Sequence, residues 1–185
     1  MKPTIKFSRF FSTDSAKAIK ADKYGYLNGI NYMAPHDTGG AGNLCPHSTA
    51  GCRALCLGMY SGQAAMNGST DINFAGIARD FPETQFIDYT KSLQRVLDKK
   101  RPSNYHLTFS LSETNQAEAL RALAAGFNVA VVFAHGQPGY YLGHSVIDGT
   151  LHDLRHLDPS PCIVGLDPKG SKAKADRSGF VVRDY

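Results

Sequence analysis

The chain has 185 residues, 42% of them hydrophobic, and carries 20 basic against 16 acidic residues for a net charge of +4. That is enough chain for one domain with a sizeable core, so folding needs no disulfides. No apolar run approaches the roughly 18 residues of a membrane span, and the N-terminus has no apolar signal core, which excludes a membrane protein and points to a soluble protein of a reducing cytoplasm.

The basic excess is local: Lys17, Lys20 and Lys23, then Lys99, Lys100 and Arg101, then Lys169, Lys172 and Lys174. Solvated surface is the plain reading of such clusters and polyanion binding the alternative. A single α/β domain over 1–185 is expected, with a polar N-terminal segment, 1–24, and a basic C-terminal tail, 171–185.

Tyr26 to Met33 (Y-L-N-G-I-N-Y-M) is aromatic and half apolar and is closed by Pro35, which predicts a first strand. A Gly- and Asp-rich loop follows, then N-L-C-P-H-S-T-A-G-C-R-A-L-C-L, Asn43 to Leu57, expected to turn helical around Cys52 to Leu57. Thr84 to Tyr89 predicts a strand, and Ser92 to Lys100 a basic amphipathic helix with Leu93, Val96 and Leu97 on one face.

Tyr105 to Ser110 alternates as a strand does. Ser112 to Ala125 predicts a helix capped by Ser112 or Thr114, with Leu120 and Leu123 on its buried face and Gly126 as its stop. Asn128 to Ala134 is a continuous apolar strand of the kind buried on both faces of a parallel sheet. Pro161 to Leu166 predicts another, and Gly179 to Arg183 a short last one. Strands alternating with helices imply parallel α/β connectivity.

In such folds ligands gather where strands end and loops begin. Polar residues recur at those ends: Asp88 to Lys91, then Ser110, Ser112 and Glu113, then His135, then Asp167 and Lys169. The cysteine loop, following the first strand, belongs to the same face.

Three of the four cysteines lie in that loop, spaced C-x6-C-x3-C. Crowded cysteines in a reducing compartment point to metal or catalysis before disulfides. Only Cys52 and Cys56 have zinc-like spacing, with His47 or His36 as a fourth ligand. Cys162 begins its strand, roughly 15 Å from the loop at a strand's rise, and reads as an inert buried thiol. What remains is an iron-sulfur cluster with one open iron, a zinc completed by histidine, or reduced core thiols, since Cys52 and Cys56 at i, i+4 would share a helix face.

G-Y-L-N-G-I-N-Y-M-A-P, C-P-H-S-T-A-G-C-R-A-L-C-L, N-G-S-T-D-I, F-I-D-Y-T-K, Y-H-L-T-F-S-L-S-E and N-V-A-V-V-F resemble a family of uncharacterised bacteriophage-encoded proteins. V-I-D-G-T-L-H-D-L-R-H-L-D-P and I-V-G-L-D-P-K-G extend the likeness almost to the C-terminus. That family is in turn distantly similar to the radical-SAM barrels, in its cysteine loop, its strand ending in T-K and its next strand ending in S-x-S/E.

The resemblance implies a 4Fe-4S cluster on Cys45, Cys52 and Cys56, with S-adenosylmethionine on the free iron. The C-x6-C-x3-C spacing departs from the C-x3-C-x2-C of those enzymes. S-G-Q-A-A-M also runs straight into N-G-S-T-D where relatives have a further helix and strand, so one β/α unit is lost or a segment is omitted between Met66 and Asn67. The implied fold is therefore a parallel β/α open or partial barrel of about six strands.

Three functions follow as expectations. The first is an iron-sulfur protein, with radical chemistry on S-adenosylmethionine if it is an enzyme. In it Lys91 holds a carboxylate or phosphate and Glu113 a ribose or amino group, while Asn67, Asp71, Ser110, His135, Asp148 and Lys169 line the pocket for a small molecule. The second is a metal-stabilised module that binds a host protein, or nucleic acid through the basic C-terminal segment. The third is a zinc hydrolase. A phage-encoded protein of this kind would work in the host cytoplasm.

Overall fold

The computed structural model describes residues 13, 18–30, 36–37, 40, 42–56 and 70–185. Its centre is a sheet whose strands follow the apolar patterning of the sequence. In β2 (Tyr105–Ser110), Tyr105, Leu107 and Phe109 are buried on one face while His106, Thr108 and Ser110 point to the other. The neighbouring β1 (Phe86–Thr90) runs parallel to it with Thr90 level with Phe109, and β3 (Val129–Phe133) lies parallel on the other side with Val129 level with Phe109.

Three helices cover the Phe109 face. They are α2 (Ala75–Asp80), α3 (Leu93–Leu97) and α4 (Gln116–Ala124), preceded in the chain by the short α1 (Ala50–Ala54). Ala78, Val96, Ala119, Ala122 and Leu123 pack there with Leu107, Phe109, Val129, Val131, Phe133 and Ile163. Small residues on α2 and α4 let the helix backbones lie close to the sheet. Ser92 caps α3 by accepting the Arg95 N–H, and Gly126, at φ +87°, ends α4 as expected.

Two details of α4 depart from expectation. Its N-cap is Asn115, not Ser112 or Thr114; the Asn115 side chain instead ties the entry loop, accepting from Ser112 N–H at 2.7 Å and donating to Ser110 O at 3.1 Å. Leu120 is 43% exposed, because α4 buries its alanine stripe and Leu123 and the arc occupied by Leu120 turns outward.

Beyond β3 the chain forms a hairpin, β4 (Tyr140–Tyr141) and β5 (His144–Asp148), then β6 (Ile163–Leu166), α5 (Gly170–Lys174) and β7 (Val181–Val182). The hairpin was not foreseen. Its two-residue turn places both Leu142 and Gly143 at positive φ, 49° and 78°, and the L-G pair between Y-Y and H-S-V-I-D was its signal.

The sheet order is β1-β2-β3-β6-β5-β4, parallel except for the β4–β5 pair, with β7 added against β3. A β/α barrel adds strands in chain order, whereas here β6 inserts between β3 and β5. The described strands therefore form a mixed, mostly parallel sheet of seven strands, and no pairing among the described residues closes it into a barrel.

β2 pairs with the start of β3, and β7 with its end at Val132 and Phe133. The C-terminal residues read as a basic tail thus contribute a strand to the sheet. Of the first predicted strand, residues 26–29 have no regular structure, Ile30 makes a single bridge, and 31–33 lie outside the described residues. No helix among the described residues is long and apolar enough to cross a membrane.

Candidate functional site

The cysteine stretch is a set of tight turns ending in α1. Asn43 Oδ1 accepts the Cys45 N–H at 2.9 Å, and the Ser48 N–H and hydroxyl both donate to Cys45 O, at 3.0 and 2.8 Å. Thr49 is the N-cap of α1, its hydroxyl oxygen accepting the Cys52 N–H at 3.2 Å. Helix α1 ends at Ala54, before Cys56, so Cys52 and Cys56 do not share a helix face; both thiol-bearing residues are partly exposed rather than core.

Glu113, three residues past β2, fastens this loop to the strand ends. Its carboxylate accepts from the Thr49 hydroxyl and from the Gly51 N–H, both at 2.8 Å. Both carboxylate oxygens are thus engaged by the loop, and a ribose or amino contact would share them with Thr49 and Gly51. A second fastening runs from the Asp71 N–H to Leu44 O at 2.8 Å. Cysteine loop and strand C-termini therefore do lie together.

Asp71 is itself gripped from below. Its Oδ2 accepts the Lys91 N–H at 3.1 Å and its Oδ1 is bonded to Arg95. Arg95 also donates to Ile72 O at 2.9 Å, to Asp88 Oδ2 at 3.0 Å and to the Tyr105 hydroxyl at 2.7 Å, while Tyr105 donates to Asp88 Oδ2 at 2.8 Å. Burial pushes the Asp88 carboxyl up to about 7, more than Arg95 and Tyr105 pull it down. This hub was missed as a unit: Arg95 reads as one more charge on a basic helix, and the signal was Asp88, an acid in the middle of an apolar strand.

The Cys45 thiol is buried and accepts the His36 N–H at 3.2 Å. Burial pushes it up; the His36 N–H opposes this, and the nearby Cys52 and Cys56 thiols and the Asp71 carboxylate add to the rise. Cys52 and Cys56 are thus each electrostatic neighbours of Cys45. As donors they suit a thiophilic metal or cluster, and an N–H aimed at Sγ suits a thiolate ligand. Among the described residues, however, no three His, Cys, Asp or Glu side chains are arranged as a ready metal site. His36 Nδ1 is paired with Asp37 at 2.7 Å, and His47 is exposed.

The other predicted residues are spread along the strand ends. Lys91 follows β1, its ammonium 5.7 Å from the centre of the Phe180 ring, and Ser110 ends β2. His135 is exposed after β3, its N–H donated to the Tyr185 hydroxyl at 3.2 Å. Lys169 precedes α5. Asp148 ends β5 and is committed to its own turn, accepting from Thr150 N–H and hydroxyl at 2.8 and 2.6 Å. Asn67 lies outside the described residues. A cleft of about 430 Å³ opens at the opposite end of β2, lined by Leu97, Lys99, Arg101, Ser103, His106 and Phe127, and involves none of these residues. Cys162 is fully buried before β6, and burial pushes its thiol up to about 11, as an inert core thiol requires.

The fold and this arrangement define an α/β protein with a mostly parallel mixed sheet and a cysteine loop fastened over its strand C-termini. The chain belongs to the gene product 88 (GP88) family, whose model matches residues 67–184, from just after the cysteine stretch to the end of the sheet. The match brings no link to radical-SAM proteins. No curated protein and no solved structure matches the chain.

Proposed function

We propose that this GP88-family protein holds a 4Fe-4S cluster through Cys45, Cys52 and Cys56, above the ends of β1 and β2. The observation that supports it is a loop carrying three cysteines and fastened over the strand ends by Glu113 and Asp71, in which Cys52 and Cys56 are near enough to act on Cys45 and Cys45 already accepts a backbone N–H. Occupancy requires Cys52 and Cys56, both partly exposed, to turn toward Cys45. When bound, such a cluster supplies one-electron chemistry, to S-adenosylmethionine where that ligand binds. The chain's own part is to hold and orient: the His36 N–H stabilises the Cys45 thiolate, and Glu113 fixes the angle of α1. Lys91, with Ser110, His135 and Lys169 on neighbouring strand ends, offers donors to a carboxylate- or phosphate-bearing small molecule.

Anaerobic purification, an absorption spectrum and metal analysis test this. Brown protein with about four irons per chain, bleached by Cys52→Ala or Cys56→Ala, is the expected result. Colourless protein with one zinc per chain would overturn it and return the loop to the zinc reading.

A further inference from the structure

The second face of the sheet, away from α2, α3 and α4, is polar at its centre. The β1–β2 register sets Tyr89 beside Thr108. One residue back along the β2–β3 and β3–β6 registers, Asn128 lies beside Thr108 and Cys162 beside Asn128. This row crosses four neighbouring segments and is roofed by the 3-10 turn Arg155–Leu157, which packs on β2. Beyond the turn, Tyr24 and Tyr26 set ring edges against His152 and His156, with centroids 4.7 and 5.3 Å apart.

Several polar atoms here are buried without a hydrogen-bond partner among the described residues. They are Arg155 Nε and Nη1, Asn128 Nδ2, Thr108 Oγ1, His106 Nε2, both His156 ring nitrogens and Asp158 Oδ2. Arg155 and Thr108 are 0% exposed and Asn128 2%. Arg155 Nη2 donates to His152 O, and Nη1 forms a buried ion pair with Asp158 Oδ2 at 3.2 Å that lacks the alignment of a hydrogen bond. The Asn128 amide orientation is set by Oδ1, which accepts the Cys162 N–H at 3.0 Å, so Nδ2 must be the outward donor.

We infer that Arg155, Asn128 and Thr108 form a buried site for a small oxyanion, a carboxylate or a phosphate. Of the groups without a hydrogen bond, Arg155 Nε and Nη1 and Asn128 Nδ2 can only donate, and Thr108 can; Asp158 Oδ2, ion-paired with Nη1, is the one carboxylate oxygen among them. Buried donors left unpaired are costly, and an acceptor-rich ligand satisfies the set at once. Asp158 already answers the Arg155 charge, so the ligand would fill the open hydrogen-bond directions of the row rather than an uncompensated charge. The Arg155 charge acts on Tyr89, His106 and Cys162, and Arg101 and His156 also face His106. Burial first, and then His156, Arg101 and Arg155, pull the His106 imidazole down to about 4. The acids opposing them are Asp158, which burial pushes up, and Asp153, with His152 beside them. An anion in the row would lift His106. None of these residues belongs to the cysteine loop, so the two proposals stand or fall separately.

The test is thermal unfolding of the full chain with inorganic phosphate and with acetate, alongside the NMR titration of His106, for wild type, Thr108→Val and Asn128→Asp. Asn128→Asp keeps the acceptor for Cys162 N–H and removes the donor. The expected result is a melting temperature that rises with one anion, a His106 titration moved upward by it, and roughly tenfold weaker response in Thr108→Val. Whichever anion acts identifies the ligand chemistry. If neither anion moves the wild-type melting temperature or His106, the row holds only water and the inference fails. It fails equally if both variants respond as wild type does, since surface lysines would then account for the effect.

Discussion

Gly51 is a point of closest approach between the cysteine loop and the rest of the chain. A Cβ there would stand 2.6 Å from Ser178 Oγ and 2.9 Å from Glu113 Oε1. Gly51→Ala must therefore displace the carboxylate that fastens α1, and a loss of about 1–3 kcal/mol in urea unfolding is expected. Faster amide exchange at residues 49–53 would accompany it. Gly76 in α2 is the control: nothing lies within 4 Å of its Cβ position, its φ is not positive, and Gly76→Ala should stabilise by up to about 1 kcal/mol. Glycine at both positions looks alike in the sequence. Only the neighbours distinguish them.

At the scale of elements, β1 and β2 each bury an ionisable group whose titration opposes the other's. Asp88 in β1 is raised from 3.8 to about 7 by burial. The folded state then binds more protons than the unfolded between about pH 4 and 7, so this contribution is full below that range and is lost as pH rises through it. His106 in β2 is lowered from 6.5 to about 4, again by burial first. Its contribution is full above about 6.5 and is lost as pH falls toward 4. Urea midpoints across pH 4 to 8 separate the two. Relative to wild type, Asp88→Asn should gain as pH rises and His106→Gln should gain as pH falls; flat differences would refute the assignment.

The same elements show what patterning conveys. Tyr105 to Ser110 is predicted to the residue because its alternate residues Tyr105, Leu107 and Phe109 supply the buried apolar face, and Asn128 to Ala134 brackets the observed Val129–Phe133 because both faces of that strand are covered. Leu120 was misplaced because helix periodicity selects a stripe, and alanines and leucines compete for it until the sheet is present to choose. The hairpin Tyr140–Asp148 was missed because its strands are short and its turn uses Leu at positive φ, where Asn or Asp would have announced it.

For the whole molecule, the C-terminal segment decides the shape of the sheet. β7 pairs with the end of β3 after β2 has paired with its start, and Val181 is buried there. Tyr185 closes the edge, its ring 5.0 Å from that of Phe133 and its hydroxyl donating to Gly136 O at 2.7 Å. Val181→Ala should cost about 1–3 kcal/mol, measured by thermal unfolding, whereas an unpaired solvated tail would show no change.

By itself the sequence determined the α/β class, the main strands, the helix stop at Gly126 and the crowding of Cys45, Cys52 and Cys56, because apolar period and residue type act locally. Tertiary structure alone decided that β6 inserts between β3 and β5, that Glu113 holds the loop, that Asp71, Asp88, Arg95 and Tyr105 form one hub, and that Arg155 is buried on the turn that packs on β2. Each of these is a meeting of residues far apart in the chain, with partners fixed by packing and by the need to satisfy buried polar groups. No local pattern encodes that requirement.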